Sequence, residues 1–469
     1  MKQWIEGWKR DIAGVRVKGS FARNAMYTFS DAAVNILSQI ILTPIVASLY
    51  GPVAYGVYGL FSTISSNLST IAGAGYPGAF VLPKEEPKFH ALARLSVVLL
   101  AVIVLLSLPF FLFPSVLYRW FPSWSVMGPW CMAIPWMVLV LGATQIFLNW
   151  TTRAKEFALY AKIGPATNLS MRLLNLGFGI LRKGTSFGLI VSELIVRSLA
   201  CIWFVLGLRK HHLGQLSHGY HRAEMRAVAT EYRDYPLYIF PGRWLNMFST
   251  QLPILGLVAL GDPAAVGRFS LASGLLLMPL RLFGYSLSAV FLRKATETGN
   301  DDPQALGELT RRLYMRLLAL GLVPFVALTF FGDVVFHLVL GDAWRLAGTY
   351  CGLMGLFYFF RLLSEPLISI YNAQRTEKRL FYFYSTLFAL NGAAVWLGTY
   401  FFRDPMVIVL LFAGVNTLAY LYLGCAILRN TGLPWIRITA RTLLLTLVCG
   451  LFFMMLRVLL LHSWLPALQ

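Results

Sequence analysis

Residues 35–60 read NILSQIILTPIVASLYGPVAYGVYGL, and residues 246–271 read NMFSTQLPILGLVALGDPAAVGRFSL, 211 positions later. In register, Asn35, Ser38, Leu49, Pro52, Ala54, Gly56 and Leu60 fall on Asn246, Ser249, Leu260, Pro263, Ala265, Gly267 and Leu271. Just upstream, Tyr27 and Phe29 fall on Tyr238 and Phe240. Each copy joins two long apolar stretches through a short segment holding the shared Pro and Gly. There a fixed φ and a small residue set how two helices meet. The chain is therefore built from a duplicated helical unit.

Its composition places that unit in a membrane. Of 469 residues, 58% are hydrophobic and 13% charged, with a mean hydropathy of +0.66, against about 25% charged in a soluble protein. Stretches of about 20 or more apolar residues, long enough to cross a hydrocarbon core as helices, occupy residues 24–50, 54–82, 91–117, 126–150, 162–181, 187–208, 235–260, 264–292, 311–335, 344–371, 381–402, 406–428 and 441–462. The predicted fold is all-α and polytopic: a cytoplasmic tail (1–23), a six-helix lobe (24–208), a basic cytoplasmic linker (209–234), a second six-helix lobe (235–428), and one or two further helices in 429–469. Because each lobe holds an even number of spans, both copies enter from the same side, and the lobes are related by an axis along the membrane normal. That symmetry predicts a central cavity and is a recurring transporter design, though symmetric channels and scaffolds share it. Pro77, Pro279 and Pro366 interrupt spans two, eight and ten, marking bends that serve either lobe movement or packing.

The net charge of +20 raises the question of an acidic partner. The Lys and Arg are scattered among short loops, however, and form no basic domain, so nucleic acid is not expected. They concentrate in the N-terminal tail and the loops after even-numbered spans, and the positive-inside rule then places the N terminus and residues 209–234 in the cytoplasm. An odd number of spans puts Gln469 outside. The leader has no apolar core and carries Lys9, Arg10, Asp11, Arg16, Lys18 and Arg23, which argues against a cleaved signal. Its Trp4, Ile5, Trp8, Ile12 and Val15 recur at helical spacing, as in a short interfacial helix. The five cysteines (131, 201, 351, 425 and 449) lie within spans without metal-ligand spacing, and no cofactor or metal is expected.

Charges deep in apolar spans are costly and default to functional candidates. They are Arg172, Arg197, Arg243, Arg281 and Arg361, with Asp31, Glu193 and Glu365 as the acids. Arginine outnumbers carboxylate, which suits a pyrophosphate or acidic sugar, because guanidinium offers phosphate a planar fork of donors and stays charged. Arg361 and Glu365 share a helix face at i,i+4, so they form either a substrate group or an internal ion pair. Arg172 and Arg197 either line the cavity, snorkel or pair with Glu193. Asp31 and Glu365 are the candidates for ion coupling. Tyr27, Trp244, Tyr285 and Tyr358 are placed to stack on sugars, with Asn35 and Asn246 as polar contacts. Two patterns are decoys. Gly73-Ala74-Gly75-Tyr76-Pro77-Gly78 fits a dinucleotide fingerprint but lies in a span with no preceding strand. His211, His212, His218 and His221 crowd a loop better read as solvated and basic.

Three blocks, in order, resemble a known family. The first is Asn35 to Gly56, continuing through Phe80-Val81-Leu82-Pro83. The second is Tyr232-Arg233-Asp234-Tyr235-Pro236-Leu237-Tyr238, followed by Asn246 to Gly267 and Pro279. The third is Gly341-Asp342-Ala343-Trp344-Arg345-Leu346-Ala347-Gly348 with Ser364-Glu365-Pro366-Leu367. Together they resemble the Wzx-type flippases of the multidrug/oligosaccharidyl-lipid/polysaccharide exporter superfamily, over nearly all of residues 20–430. The resemblance implies a transporter, not an enzyme, in the cytoplasmic (inner) membrane. It would carry undecaprenyl-pyrophosphate-linked oligosaccharide outward by alternating access for O-antigen, capsule or exopolysaccharide assembly. It further implies a polyprenyl tail left in the lipid by spans one and eight, and other polysaccharide-assembly proteins as partners. Relatives usually have twelve or fourteen spans, so thirteen is a departure. A multidrug cation antiporter of the same superfamily would favour carboxylates over arginines in its cavity. A membrane-embedded glycosyltransferase or polymerase would need larger external loops than the roughly ten residues available here.

Overall fold

The computed structural model describes residues 21–182, 184–209, 221–281, 303–374 and 376–463, together with 288 and 291. Side chains are described for these except 21–37, 40, 303, 372, 373, 377 and 461–463. Among the described residues all regular structure is helical, as hydrocarbon requires of backbone groups that must pair within their own segment.

Helix α1 (Phe21–Ala72) runs for 52 residues but is broken at Gly51, whose φ of 68° and ψ of 169° fall outside the helical region. Glycine takes a positive φ without steric cost, so Gly51-Pro52 turns the chain between the first two spans. The second span is shorter than its hydropathy suggests. It ends at Ala72 and passes through a left-handed Gly75 into a 3-10 turn over Tyr76–Ala79. A Cβ on Gly75 would lie 2.6 Å from the Phe240 Cβ, so this glycine allows a close approach.

There follow α2 (Glu86–Leu112), α3 (Pro114–Trp120), α4 (Ile134–Arg153), α5 (Phe157–Leu181), α6 (Ser186–Leu208) and the short α7 (Arg222–Glu231). A π-turn over Tyr235–Ile239 leads into α8 (Phe240–Ala259). The remainder comprises α9 (Pro263–Pro279), α10 (Pro303–Leu340), α11 (Arg345–Ser364), α12 (Ser369–Ala373), α13 (Glu377–Trp396), α14 (Pro405–Asn430) and α15 (Trp435–Ser463). Each predicted span overlaps one or two of these helices, and the end of the span predicted over 264–292 lies outside the described residues. Among the described residues nine helices are long and apolar enough to cross a membrane. Two of the three proline sites lie at breaks, Pro77 in the 3-10 turn and Pro366 in the 3-10 turn after α11, whereas Pro279 is the last residue of α9 and Leu280 after it is still helical. By contrast, Pro109, Pro165, Pro253 and Pro324 are carried inside continuous helices. The leader and most of the histidine-bearing linker lie outside the described residues.

The helices gather into two compact units. One runs to Leu49 and resumes over Phe61–Trp244, while the other takes Tyr50–Leu60 and the chain from Leu245 onward. In the first unit, α4 packs between α2 and α6, and α7 lies on α2. Phe80, Phe89, Trp150, Leu208 and Val228 share one buried core. Arg153 closes the frayed end of the second span, donating to the carbonyls of Phe80 (3.1 Å) and Pro83 (2.6 Å) and to Glu86 (2.8 Å).

In the second unit α11 is the central helix, packed against α9, α10 and α14 and buried along most of its length. Gly348 of α11 and Gly332 of α10 meet backbone to backbone, the close approach that small residues give helices in lipid. The segment of α1 that belongs to this unit, Tyr50–Leu60, crosses the start of α9 reciprocally. A Cβ on Gly56 would fall on the Pro263 carbonyl, and one on Gly267 on the Pro52 carbonyl. The duplicated Pro and Gly are thus among the residues through which the two copies touch. At the far end, Arg457 of α15 forms a bidentate pair with Asp333 of α10 (3.0 and 2.8 Å) and donates to the Phe330 carbonyl. That pair ties down a helix whose most apolar stretch is otherwise unburied.

Candidate functional site

The second unit collects several of the sequence candidates around Arg361. This side chain sits in the last turn of α11 and is 7% exposed. Its Nε donates to Glu365 Oε2 at 2.5 Å and its Nη2 to Oε1 at 3.2 Å. The i,i+4 spacing and the 3-10 turn that begins at Glu365 place the carboxylate beneath the guanidinium. The guanidinium also lies 5.6 Å from the Tyr420 ring centroid and 6.0 Å from those of Phe357 and Tyr358, within reach of cation–π attraction. Pairing and aromatic enclosure offset a desolvation that would otherwise cost several kcal/mol per ion.

The cluster continues into uncharged groups. Tyr420 donates its hydroxyl to Asn246 Oδ1 at 3.3 Å, and Ser364 donates to the Tyr420 carbonyl at 2.9 Å. One turn along α8 from Asn246, Ser249 accepts from Asn391 at 2.7 Å, and Asn416 donates to Asn391 at 2.8 Å. Ser249, Asn391 and Asn416 are fully buried. Asn246 and Ser249 are two of the duplicated residues, and in the second copy they anchor polar contacts linking α8, α13 and α14.

Arg281 lies just past the end of α9 and is exposed. It is close enough to the buried Tyr358 to interact with it electrostatically. Among the described residues it forms no ion pair.

The first unit holds the other arginines in more open settings. Arg243 is exposed near the start of α8, within electrostatic reach of Tyr235, and has no ion-pair partner among the described residues. Trp244 beside it is half-buried. Arg172 of α5 donates to Thr43 Oγ1 at 3.0 Å. Arg197 approaches the buried Glu193 only to 3.8 Å. The side chains of Tyr27, Asp31 and Asn35, and all of Tyr285, lie outside the described residues. The structure therefore gathers Arg361, Glu365, Tyr358 and Asn246 into one cluster with Arg281 nearby, and sets Arg172, Arg197, Arg243 and Trp244 in the other unit.

Sequence reading passed over Tyr420, Asn391 and Asn416, and also the Arg457–Asp333 pair. The signal in each case was a polar or charged residue inside an apolar span: two asparagines on adjacent spans, and an acid and a base on spans nine and thirteen.

This fold has solved counterparts. A lipid II flippase MurJ in an inward closed conformation superposes with a TM-score of 0.67 at 13% identity, over 92% of this chain and 97% of its own. An inward-facing multidrug resistance MATE family transporter of the MOP superfamily gives 0.58 at 11% identity, over 90% and 97%. A variant of the Vibrio cholerae MATE transporter VcmN gives 0.54 at 15%, over 87% and 96%. At these identities the likeness establishes the fold: an all-helical, multi-pass MATE/MurJ-like membrane protein. No curated protein sequence matches the chain. The model of the polysaccharide biosynthesis protein family matches residues 45–347, well over half of the sequence, and the chain belongs to that family.

Proposed function

We propose that this protein is a flippase that carries an undecaprenyl-pyrophosphate-linked oligosaccharide from the cytoplasmic to the outer face of the cytoplasmic membrane by alternating access. One observation carries the reading: a chain of the polysaccharide biosynthesis family has the fold seen in a lipid II flippase. The arginines add a chemical argument. Arg243 and Arg281 are exposed and lack ion-pair partners among the described residues, so each has donors free for a diphosphate. Arg361 has its charge answered by Glu365 and positions Tyr358 and Tyr420 instead of serving as a spare cation. An organic cation would gain nothing from such groups, which favours the anionic headgroup over the substrate of a multidrug antiporter. The polyprenyl tail stays in lipid while the headgroup crosses.

The test is translocation of a radiolabelled polyprenyl-pyrophosphate oligosaccharide into the lumen of proteoliposomes. Lumenal label above that of protein-free vesicles, with or without an imposed ion gradient, supports the reading. No translocation by folded protein under either condition, alongside export of an organic cation, would replace it with the antiporter.

A further inference from the structure

A groove of about 1140 Å³ runs along the second unit between α13 and α14, with the first turn of α15 at one end. Its trough is apolar, formed by Leu387, Leu390, Val415 and Leu418. Its mouth is cationic. Arg379 and Arg429 stand there on adjacent helices, both exposed. Arg379 makes one long hydrogen bond to Asn430 (3.4 Å), and Asn430 another to the Tyr371 hydroxyl (3.4 Å). Among the described residues neither arginine forms an ion pair. Tyr382 and Tyr422 flank the mouth at 68% and 67% exposure, and Trp435 closes the end.

These features define a ligand with an anionic head and an apolar chain. The volume exceeds the roughly 300–1,000 Å³ of small-molecule pockets. From Arg379 to Leu390 the helix rises about 16 Å, and from Arg429 to Val415 about 21 Å. Half of a hydrocarbon core about 30 Å thick is about 15 Å, so the trough is about one leaflet deep. The mouth falls on the side that the distribution of Lys and Arg makes cytoplasmic, where the inner leaflet's negative surface attracts basic groups and tyrosine and tryptophan settle at headgroup level. Ordinary snorkelling arginines would need no groove beside them. Here two unpaired guanidinium groups converge on one, and each offers a fork suited to phosphate oxygens.

We propose that this groove binds one anionic phospholipid of the cytoplasmic leaflet, with its phosphate on Arg379 and Arg429 and an acyl chain laid between α13 and α14. The inference goes beyond the transport reading and does not rest on it. The occupant is a bilayer lipid and not the transported carrier, because a trough one leaflet deep matches an acyl chain and is overrun by a polyprenyl chain.

Full-length protein in a neutral detergent would be titrated with phosphatidylglycerol or with phosphatidylcholine of the same acyl chains, and bound lipid counted by native mass spectrometry. Wild type is expected to retain one phosphatidylglycerol at about 10- to 30-fold lower lipid concentration than phosphatidylcholine. Arg379→Gln/Arg429→Gln should abolish that preference. Thr386→Trp, which fills the trough while keeping both arginines, should abolish retention of either lipid. Equal retention of the two lipids by wild type would overturn the proposal, as would a preference surviving in the double variant. Displacement of phosphatidylglycerol by a lower concentration of polyprenyl phosphate would assign the groove to the carrier and overturn it as well.

Discussion

Arginine is placed in apolar surroundings in both units, yet the two treat it differently. In the second unit, Arg361 is enclosed by three aromatic rings and held bidentately by Glu365. In the first, Arg172 has a threonine hydroxyl at 3.0 Å, and Arg197 has a carboxylate no nearer than 3.8 Å. The difference teaches that a charge inside a span does not by itself mark a ligand site. In the proposed function a guanidinium whose charge is already answered by a carboxylate serves the architecture, while an exposed one such as Arg281 offers its donors to an anion.

The contrast should break most visibly at Glu365. Glu365→Ala leaves Arg361 buried and uncompensated, and is expected to cost about 3–5 kcal/mol, read as a large fall in melting temperature of the detergent-solubilised protein. Arg361→Leu/Glu365→Leu, which removes both charges, should recover most of that loss. A double variant as unstable as the single one would show that the pair is more than mutual compensation. Next in size is Asn391→Leu, which strands Ser249 and Asn416, both fully buried, and should cost about 1–3 kcal/mol in the same assay. Replacing Gly56 or Gly267 by leucine forces apart the backbones at their crossing. The two substitutions should destabilise equally, by about 1–3 kcal/mol, because the contact is reciprocal. In the first unit Thr43→Val should cost only about 1 kcal/mol, since Arg172 is half-buried. Arg197→Gln keeps an amide donor beside the buried Glu193, whose contact with the guanidinium is already long at 3.8 Å, and should cost less than Glu365→Ala. An effect at Arg197 as large as that at Glu365 would erase the distinction between the units.

Much of this architecture was legible because hydrocarbon imposes simple rules. Apolar length located the helices, and the i,i+4 spacing of Arg361 and Glu365 already allowed an ion pair. Pro77 and Pro366 lie at real breaks, although Pro253, Pro279 and Pro324 show that proline alone is not sufficient. What stayed hidden depends on pairing between distant positions. The repeat indicated that Gly56 and Gly267 are equivalent, but not that each rests on the other copy's proline. Asp333 and Arg457 are 124 residues apart, and each alone is tolerable in its span. Asn391 and Asn416 look like isolated polar residues until α13 and α14 are seen to pack together. Nor does hydropathy tell a cation with a partner from one without, and the candidate site turns on that property.

The most direct test of the central claim is the rate of lipid-linked oligosaccharide entry into proteoliposomes, comparing Arg281→Ala with Arg361→Leu/Glu365→Leu at equal amounts of folded protein. The account requires Arg281→Ala to lose at least about tenfold, the loss expected when a charged contact to phosphate is removed, while the double variant keeps most of the wild-type rate. The reverse result, with transport unaffected by Arg281→Ala and lost with the buried pair, would contradict it.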